Sequence, residues 1–142
     1  MPDPPFKFSA STRVGFSDTD AQGVVYYGRY MPYFDLARVE YHRHLDMLRA
    51  GPHDREFVMR AMSVEYHAPA RFDDMIEVDV RIAHIGTSSV TYEFAAFLEG
   101  RVLAVSATQT AVLVDLGSRR PSPIPGWWRE KIKAFEGADV EA

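Results

Sequence analysis

The chain has no cysteine. Disulfides, thiolate metal centres and a cysteine nucleophile are excluded together, and the absence fits a reducing compartment. A basic run is missing too. Lys and Arg total 16 against 20 Asp and Glu, a net charge of -4, so the electrostatic footprint of a nucleic-acid binder is absent. No window approaches the ~20 apolar residues that cross a bilayer, and the start, MPDPPFKFSAS, has no basic segment leading into an apolar one. These features predict a soluble, cytoplasmic protein with no nucleic-acid partner and no membrane span. Several catalytic signatures are also lacking: HExxH for zinc, the GxSxG elbow of an exposed serine, GxxxxGK followed by Ser or Thr, and GxGxxG for phosphates. Among the histidines, His42, His44, His53, His67 and His84, the first two stand two apart and face different sides of a helix, so no metal site is expected.

What is present describes one domain over residues 1–142. At this length, with 46% apolar and 13% aromatic residues, the chain can bury roughly two thirds of its unfolded surface around one core. Prolines cluster only at Pro2, Pro4 and Pro5 and at Pro121, Pro123 and Pro125, which marks the edges of a core over about 7–116. Lys7 to Gly15 reads as a first strand of weak alternation. Tyr30, Tyr33, Phe34, Ala37, Tyr41, Leu45 and Leu48 recur at intervals of three and four, one face of a helix. Pro32 is tolerated in its first turn, and Gly51-Pro52 closes it. Leu36, Val39 and Met47 lie off that stripe, so more than one side of the helix is expected to be covered.

Beyond the helix the period becomes two. Val58 to Tyr66 reads as a strand, and Ile76, Val78, Val80 and Ile82 alternate with charged residues in a second, clearer one. Val90 to Ala96 continues the pattern, Glu99-Gly100 makes a hairpin turn, and Val102 to Asp115 forms a long strand rich in Val and Thr. Trp127 to Phe135 makes a short closing helix within 126–136, its tryptophans pinning it to the body. The class is α+β, an antiparallel sheet of about five strands against one long helix. Such a sheet cannot cover all its faces within one chain of this size, which points to an oligomer.

The stretch FSDTDAQGVVYYGRY, residues 16–30, holds the chemistry. Ser17-Asp18-Thr19-Asp20 reads on spacing as a turn in which short polar side chains bond the backbone. Its neighbours Val24, Val25, Tyr26 and Tyr27 are unusually apolar for a solvated turn. A carboxylate beside them, near a helix start, stays ionised while losing water, which suits a nucleophile or general base.

The run DTDAQGVVYYGRYMPYFDLARVEYHRHL resembles the signature of the hotdog-fold acyl-CoA thioesterases of the 4-hydroxybenzoyl-CoA thioesterase and YbgC type: Asp-x-Asp, Gly-Val-Val-Tyr, Tyr, then aromatic-x-x-Ala-Arg-x-Glu on a central helix. VEYHAPARFDDMIEV and IGTSSVTYEF are similar to two further family segments, so the likeness runs from about Arg13 to Asp115. It implies a hotdog fold, hydrolysis of a short-chain or aromatic acyl-CoA, no cofactor or metal beyond the coenzyme A of the substrate, and a homodimer as the minimum unit that forms a homotetramer. By position, Asp20 falls on the catalytic carboxylate and Asp18 supports its loop. Gly23 is either a turn glycine or a point of close approach to substrate. Tyr27 stands where many members carry His, and orients substrate through its hydroxyl. Arg29 stands where relatives often have Asn, and either pairs with Asp20 or reaches solvent. A backbone donor near Phe57 or Val58, from the same or a partner subunit, meets the tetrahedral oxygen. Ser88 and Ser89 line the pantetheine channel or form the turn. Arg60, Arg71, Arg119 and Arg120 are candidates for the phosphates. Arg38 and Glu40 serve helix packing or an ion pair. A hydratase of the same fold wants a His paired with an acid, and no histidine neighbours the Asp18–Asp20 loop in sequence. A non-catalytic acyl- or partner-binding module on the same scaffold is the other alternative.

Overall fold

Ile76, Val78, Val80 and Ile82 are fully buried, and their alternation defines the inner face of the sheet. The computed structural model describes residues 2–48 and 54–142. Along them run β1 (Phe8–Arg13), α1 (Tyr30–His44), β2 (Arg55–Tyr66), β3 (Met75–Ile85), β4 (Ser89–Leu98), β5 (Val102–Asp115) and α2 (Gly126–Glu136). The strands form one sheet in the order β1-β3-β4-β5-β2, with every neighbouring pair antiparallel. Two expected boundaries move. β2 starts at Arg55 rather than Val58, because Arg55, Glu56 and Phe57 pair with Asp115, Val114 and Leu113. β1 shrinks to Phe8–Arg13, since Val14 leaves the ladder to bond Asp73 and Asp74.

The helical stripe is buried at Tyr30, Tyr33, Phe34, Ala37 and Tyr41. Phe34 meets Phe94 of β4 with ring centroids 5.0 Å apart, which clamps α1 to the sheet. The helix then stops earlier than the stripe suggests. Asp46 takes a left-handed conformation, φ 56°, and swings Met47 into the core while Leu48 turns outward. Gly51-Pro52 and His53 lie outside the described residues. Contrary to expectation, the second side of α1 stays open in one chain: Leu36 is 40% exposed and Val39 only partly covered. At the other end, Trp128 is buried and Trp127 exposed, so one tryptophan anchors α2.

Residue pairing carries the inner face across the sheet. Phe94 pairs with Ala107, Tyr92 with Gln109 and Ala96 with Val105; these in turn pair with Val64, Met62 and Tyr66 of β2. Because α1 packs over β1 and β3, the β5–β2 end of that face lies uncovered. Met59, Met62 and Tyr66 are all exposed there. β2 is the outermost strand at this end, so one row of its backbone groups has no ladder partner among the described residues.

Where α1 meets this open end, polar groups enter the core. His42 Nε2 lies 2.6 Å from the Tyr92 hydroxyl, and rings of Tyr41, Tyr92 and Trp128 enclose the imidazole. Burial first, then the charge of Arg38, lowers its pKa from 6.5 to about 4. The folded state therefore resists protonation that the unfolded chain accepts. Stability from this residue is complete above about pH 6.5 and is lost as pH falls towards 4, by up to about 3 kcal/mol. Denaturant unfolding at pH 7 and 4.5 is expected to show a loss that His42→Gln reduces by about 2 kcal/mol; an unchanged pH dependence in that variant would contradict the assignment.

Candidate active site

The segment between β1 and α1 is stapled in place by backbone hydrogen bonds. The Val14 amide donates to the Asp74 carbonyl at 2.9 Å, the Val25 amide to Ala70 at 2.8 Å and the Tyr26 amide to Asp18 at 2.9 Å. Within it, Asp20 and Gly23 close a tight turn: the Asp20 amide donates to Val24 at 2.9 Å and the Gly23 amide to Asp20 at 3.0 Å. Gly23 has φ +79°, and a Cβ there would meet nothing within 4 Å. Backbone conformation, not close approach by another group, is thus what selects glycine at this position.

The two acids separate in role. Asp18 Oδ2 accepts the Tyr33 hydroxyl at 2.7 Å and the Gly15 amide at 3.2 Å, tying the loop to α1. Burial first and then this carboxylate push the Tyr33 phenol well above its ordinary pKa, so its proton stays in the bond. Among the described residues, Asp20 Oδ1 accepts only the Gln22 amide, at 2.8 Å, a local Asx-type bond. Asp20 also lines a groove of about 330 Å³, together with Gln22, Val24, Val25, Tyr27, Tyr30, Tyr66, His67, Ala68 and Pro69. Aromatic rings build one side of it. Tyr26 and Tyr27 have centroids 4.4 Å apart, Tyr30 and Tyr66 5.8 Å apart, and the Tyr66 hydroxyl donates to the Tyr27 carbonyl at 3.0 Å.

The sequence points to exposed backbone N–H groups at a helix start near the carboxylate, and the structure shows which residues stand at that start. Tyr27–Arg29 forms a one-turn 3-10 helix leading into α1, and neither helix start carries a side-chain cap. The Tyr26 and Arg29 amides are engaged; among the described residues the Tyr27 and Gly28 amides make no backbone bond outside regular structure. Amides in the first turn of a helix entry lack an intrahelical acceptor and favour negative charge nearby. Uncapped amides after a Gly-Val-Val-Tyr run were the available signal.

Other expected residues fall elsewhere. Val58, Val112 and Ser89 share one row of the sheet, and the Leu113 amide, paired with Phe57, donates to the Ser88 carbonyl at 2.7 Å. Phe57, Val58, Ser88 and Ser89 thus gather at the end of the sheet opposite Asp20, with β2 running about 30 Å between Phe57 and Tyr66. Within one chain the structure does not bring these four to Asp20, Gly23 and Tyr27. Phe57 instead packs on Trp128, centroids 5.2 Å apart. His67, distant in sequence, does reach the groove wall, but its Nε2 lies 2.9 Å from Ser106 Oγ. Ser106 pairs with Glu65 and Ala95, out of phase with Val105 and Ala107, so this bond draws the imidazole towards the outer face. Among the described residues, Arg29, Arg60, Arg71, Arg119 and Arg120 are exposed and make no ion pair; the backbone of Arg71 bridges the groove-lining Val24. Arg38 pairs with Asp35, and Glu40 with Arg43. No described cluster of three or more His, Asp or Glu could hold a metal ion, and no described helix is long and apolar enough to cross a membrane.

Residues 14–132 match the family profile described as the Thioesterase-like superfamily. The chain belongs to that superfamily. Its fold is the hotdog fold. Acyl-CoA thioester hydrolase YbgC of Escherichia coli is 34% identical over 120 residues, 83% of this chain and 90% of the relative. Acyl-CoA thioesterase YbgC of Haemophilus influenzae is 31% identical over 121 residues, 83% and 88% of the two chains. Among solved structures, a thioesterase from Thermus thermophilus complexed with coenzyme A and Zn superposes with a TM-score of 0.81 at 31% identity, covering 95% of this chain and 98% of that one.

Proposed function

We propose that this superfamily member is an acyl-CoA thioesterase in which Asp20 acts as nucleophile or general base. The observation that carries the reading is the placement of the Asp20 carboxylate, bonded only by the Gln22 amide, in an aromatic-walled groove at the entry of α1. A thioester carbonyl between that carboxylate and the Tyr27 and Gly28 amides has both things the reaction needs. The carboxylate attacks the carbonyl carbon or removes a proton from the attacking water, and the amides meet the oxygen as it becomes negative. One such donor is worth about 3 kcal/mol in the transition state. Collapse of the tetrahedral species expels coenzyme A as its thiolate, which takes a proton from solvent. On the nucleophilic route the acyl group is left on Asp20 as a mixed anhydride that a water hydrolyses to the free acid; on the general-base route the free acid forms directly and Asp20 gives its proton back to solvent. Carboxylate and amides suffice for this sequence, so the reaction is read as needing no cofactor of its own. The walls of Tyr27, Tyr30 and Tyr66 accept a short alkyl or an aromatic acyl group.

The working unit in this reading is a homodimer made along β2, with two dimers forming a homotetramer. An outermost strand exposing Val58, Met59, Met62 and Tyr66 is a template for an antiparallel copy of itself. Pairing of that kind runs one copy's Phe57 end beside the other's Tyr66 end, and so carries Phe57 and Val58 of each chain towards the Asp20 groove of its mate. Purified protein mixed with acyl-CoA thioesters of graded length and ring content, with a thiol reagent to report coenzyme A, is expected to release thiol, and light scattering to give two or four times the chain mass. Silence across the whole series favours a non-catalytic acyl-binding module; hydration of an enoyl-CoA without thiol release favours a hydratase.

A further inference from the structure

Tyr66 is the last residue of β2 and lines the Asp20 groove. Its half-exposed phenol is tied to the backbone of a distant segment: the hydroxyl donates to the Tyr27 carbonyl at 3.0 Å. Both ends of that bond are fixed. Tyr66 pairs with Val105 of β5, and the His67 and Ala68 amides both donate to the Ala104 carbonyl, at 2.7 and 3.1 Å, which pins the end of the strand. On the other side the Val25 amide donates to Ala70 at 2.8 Å and the Arg29 amide to Tyr26 at 2.8 Å, while Val24 bridges Arg71. The Tyr66 ring rests against Tyr30 and Tyr27, with centroids 5.8 and 6.5 Å away. Burial first, and then the Tyr27 phenol, raises the Tyr66 pKa, so the hydroxyl keeps the proton it donates.

What this bond controls is the peptide it touches. The Tyr27 carbonyl and the Gly28 N–H belong to one planar unit and, in the trans form, point in opposite directions. Holding the carbonyl therefore holds the direction of the N–H. A donor on the carbonyl oxygen also draws electron density from the nitrogen, so the Gly28 N–H becomes the stronger donor, the cooperative effect of linked hydrogen bonds. Rotation about the Tyr27 backbone, which would swing the Tyr27 N–H as well, breaks the same contact. Neither helix start here carries a side-chain cap, so the tie from Tyr66 supplies a restraint that capping would otherwise give.

Resting on the thioesterase reading above, we propose that Tyr66 is a positioning residue for the reaction: through the Tyr27 carbonyl, its hydroxyl aims the Tyr27 and Gly28 amides at the thioester oxygen and strengthens the second of them. The phenol acts through the peptide and makes no contact with the reacting atoms. Its effect falls on the transition state more than on substrate binding, because the oxygen that those amides serve becomes negative only there.

Tyr66→Phe tests this. It removes one half-exposed oxygen and keeps the ring against Tyr30, so the fold is expected to hold, with Tm within about 5 °C of wild type. For an acyl-CoA that wild type hydrolyses, kcat is expected to fall by about 10- to 100-fold while KM stays within about threefold. Two further readouts distinguish aim from general loosening. In 15N-labelled protein without ligand, the Gly28 amide resonance is expected to move upfield in Tyr66→Phe, by more than those of Asp20 and Gly23 in the neighbouring turn. With a bound dethia analogue, in which CH2 replaces the thioester sulfur and the carbonyl survives, the carbonyl stretch is expected at higher frequency in the variant than in wild type. An unchanged kcat, a Gly28 resonance that stays in place, or a rise in KM that accounts for the whole loss of kcat/KM overturns the proposal and makes Tyr66 a wall of the groove. The thioesterase reading fails separately. If Asp20→Asn abolishes thiol release while Tyr66→Phe keeps the wild-type rate, hydrolysis stands and the role of Tyr66 falls; if wild type releases no thiol from any acyl-CoA, the thioesterase reading falls and this proposal with it.

Discussion

Asp20→Asn is expected to reduce release of coenzyme A by about 10²- to 10⁴-fold, the range for loss of a positioned base. The substitution is conservative where structure is concerned. Asn keeps the oxygen that accepts the Gln22 amide at 2.8 Å, and the turn closed by Asp20 and Gly23 is made from backbone groups. Only the charge and its lone pairs are removed. Asp18→Asn is the control, because its carboxylate binds Tyr33 and Gly15. That variant should lose thermal stability and a smaller part of its rate, through disorder of the loop. Steady-state kinetics with a thiol reagent, beside thermal melts, measures both. If Asp20→Asn hydrolyses thioesters at the wild-type rate, the carboxylate is a turn residue and the proposed mechanism is wrong.

The contrast between these two acids shows what the sequence could reveal. Side-chain periodicity carried the fold: the alternation over Ile76–Ile82 identified the inner face of β3, and the stripe from Tyr30 to Tyr41 is the buried face of α1. Both are patterns of residue type, and burial reads residue type directly. Strand ends were less legible. Arg55 and Glu56 look like loop residues, and only pairing with Asp115 and Val114 makes them strand. At the site, the Asp-x-Asp spacing marked the loop and the motif marked Asp20. The helix start marked N–H groups near the carboxylate but not the Tyr27 and Gly28 amides individually, because the direction of a backbone N–H is set by the turn and not by the side chain. Phe57, Val58, Ser88 and Ser89 failed to join Asp20 for a related reason. Their nearness to one another follows from strand register, and any approach to Asp20 needs a second chain, which no spacing along one chain expresses.

Glu136 is the residue whose loss should cost the fold most. It lies in α2, 1% exposed, where Oε2 accepts both the Tyr41 hydroxyl at 2.6 Å and the Ile82 amide at 3.1 Å. One carboxylate therefore joins the closing helix to α1 and to β3. Lys7 Nζ lies 3.8 Å from Oε1, too far for a hydrogen bond, and that oxygen is buried without a partner. Burial accordingly raises the Glu136 pKa, against the lowering effect of Tyr41, the Ile82 amide and Lys7. The fold thus values this residue as an acceptor more than as a charge. Glu136→Ala orphans two buried donors and opens a cavity, and is expected to cost about 3–5 kcal/mol, roughly 10 °C or more in Tm. Glu136→Gln keeps an acceptor oxygen for Tyr41 and Ile82 while removing the charge, and should cost less than about 1.5 kcal/mol. Lys7→Met should change little, because the Lys7 side chain is one-third exposed and its main carboxylate partner is the exposed Asp139. Denaturant titrations of the three variants at pH 7 rank them. If Gln proves as damaging as Ala, the ion pair with Lys7 rather than the hydrogen bonds to Tyr41 and Ile82 holds α2 against the sheet.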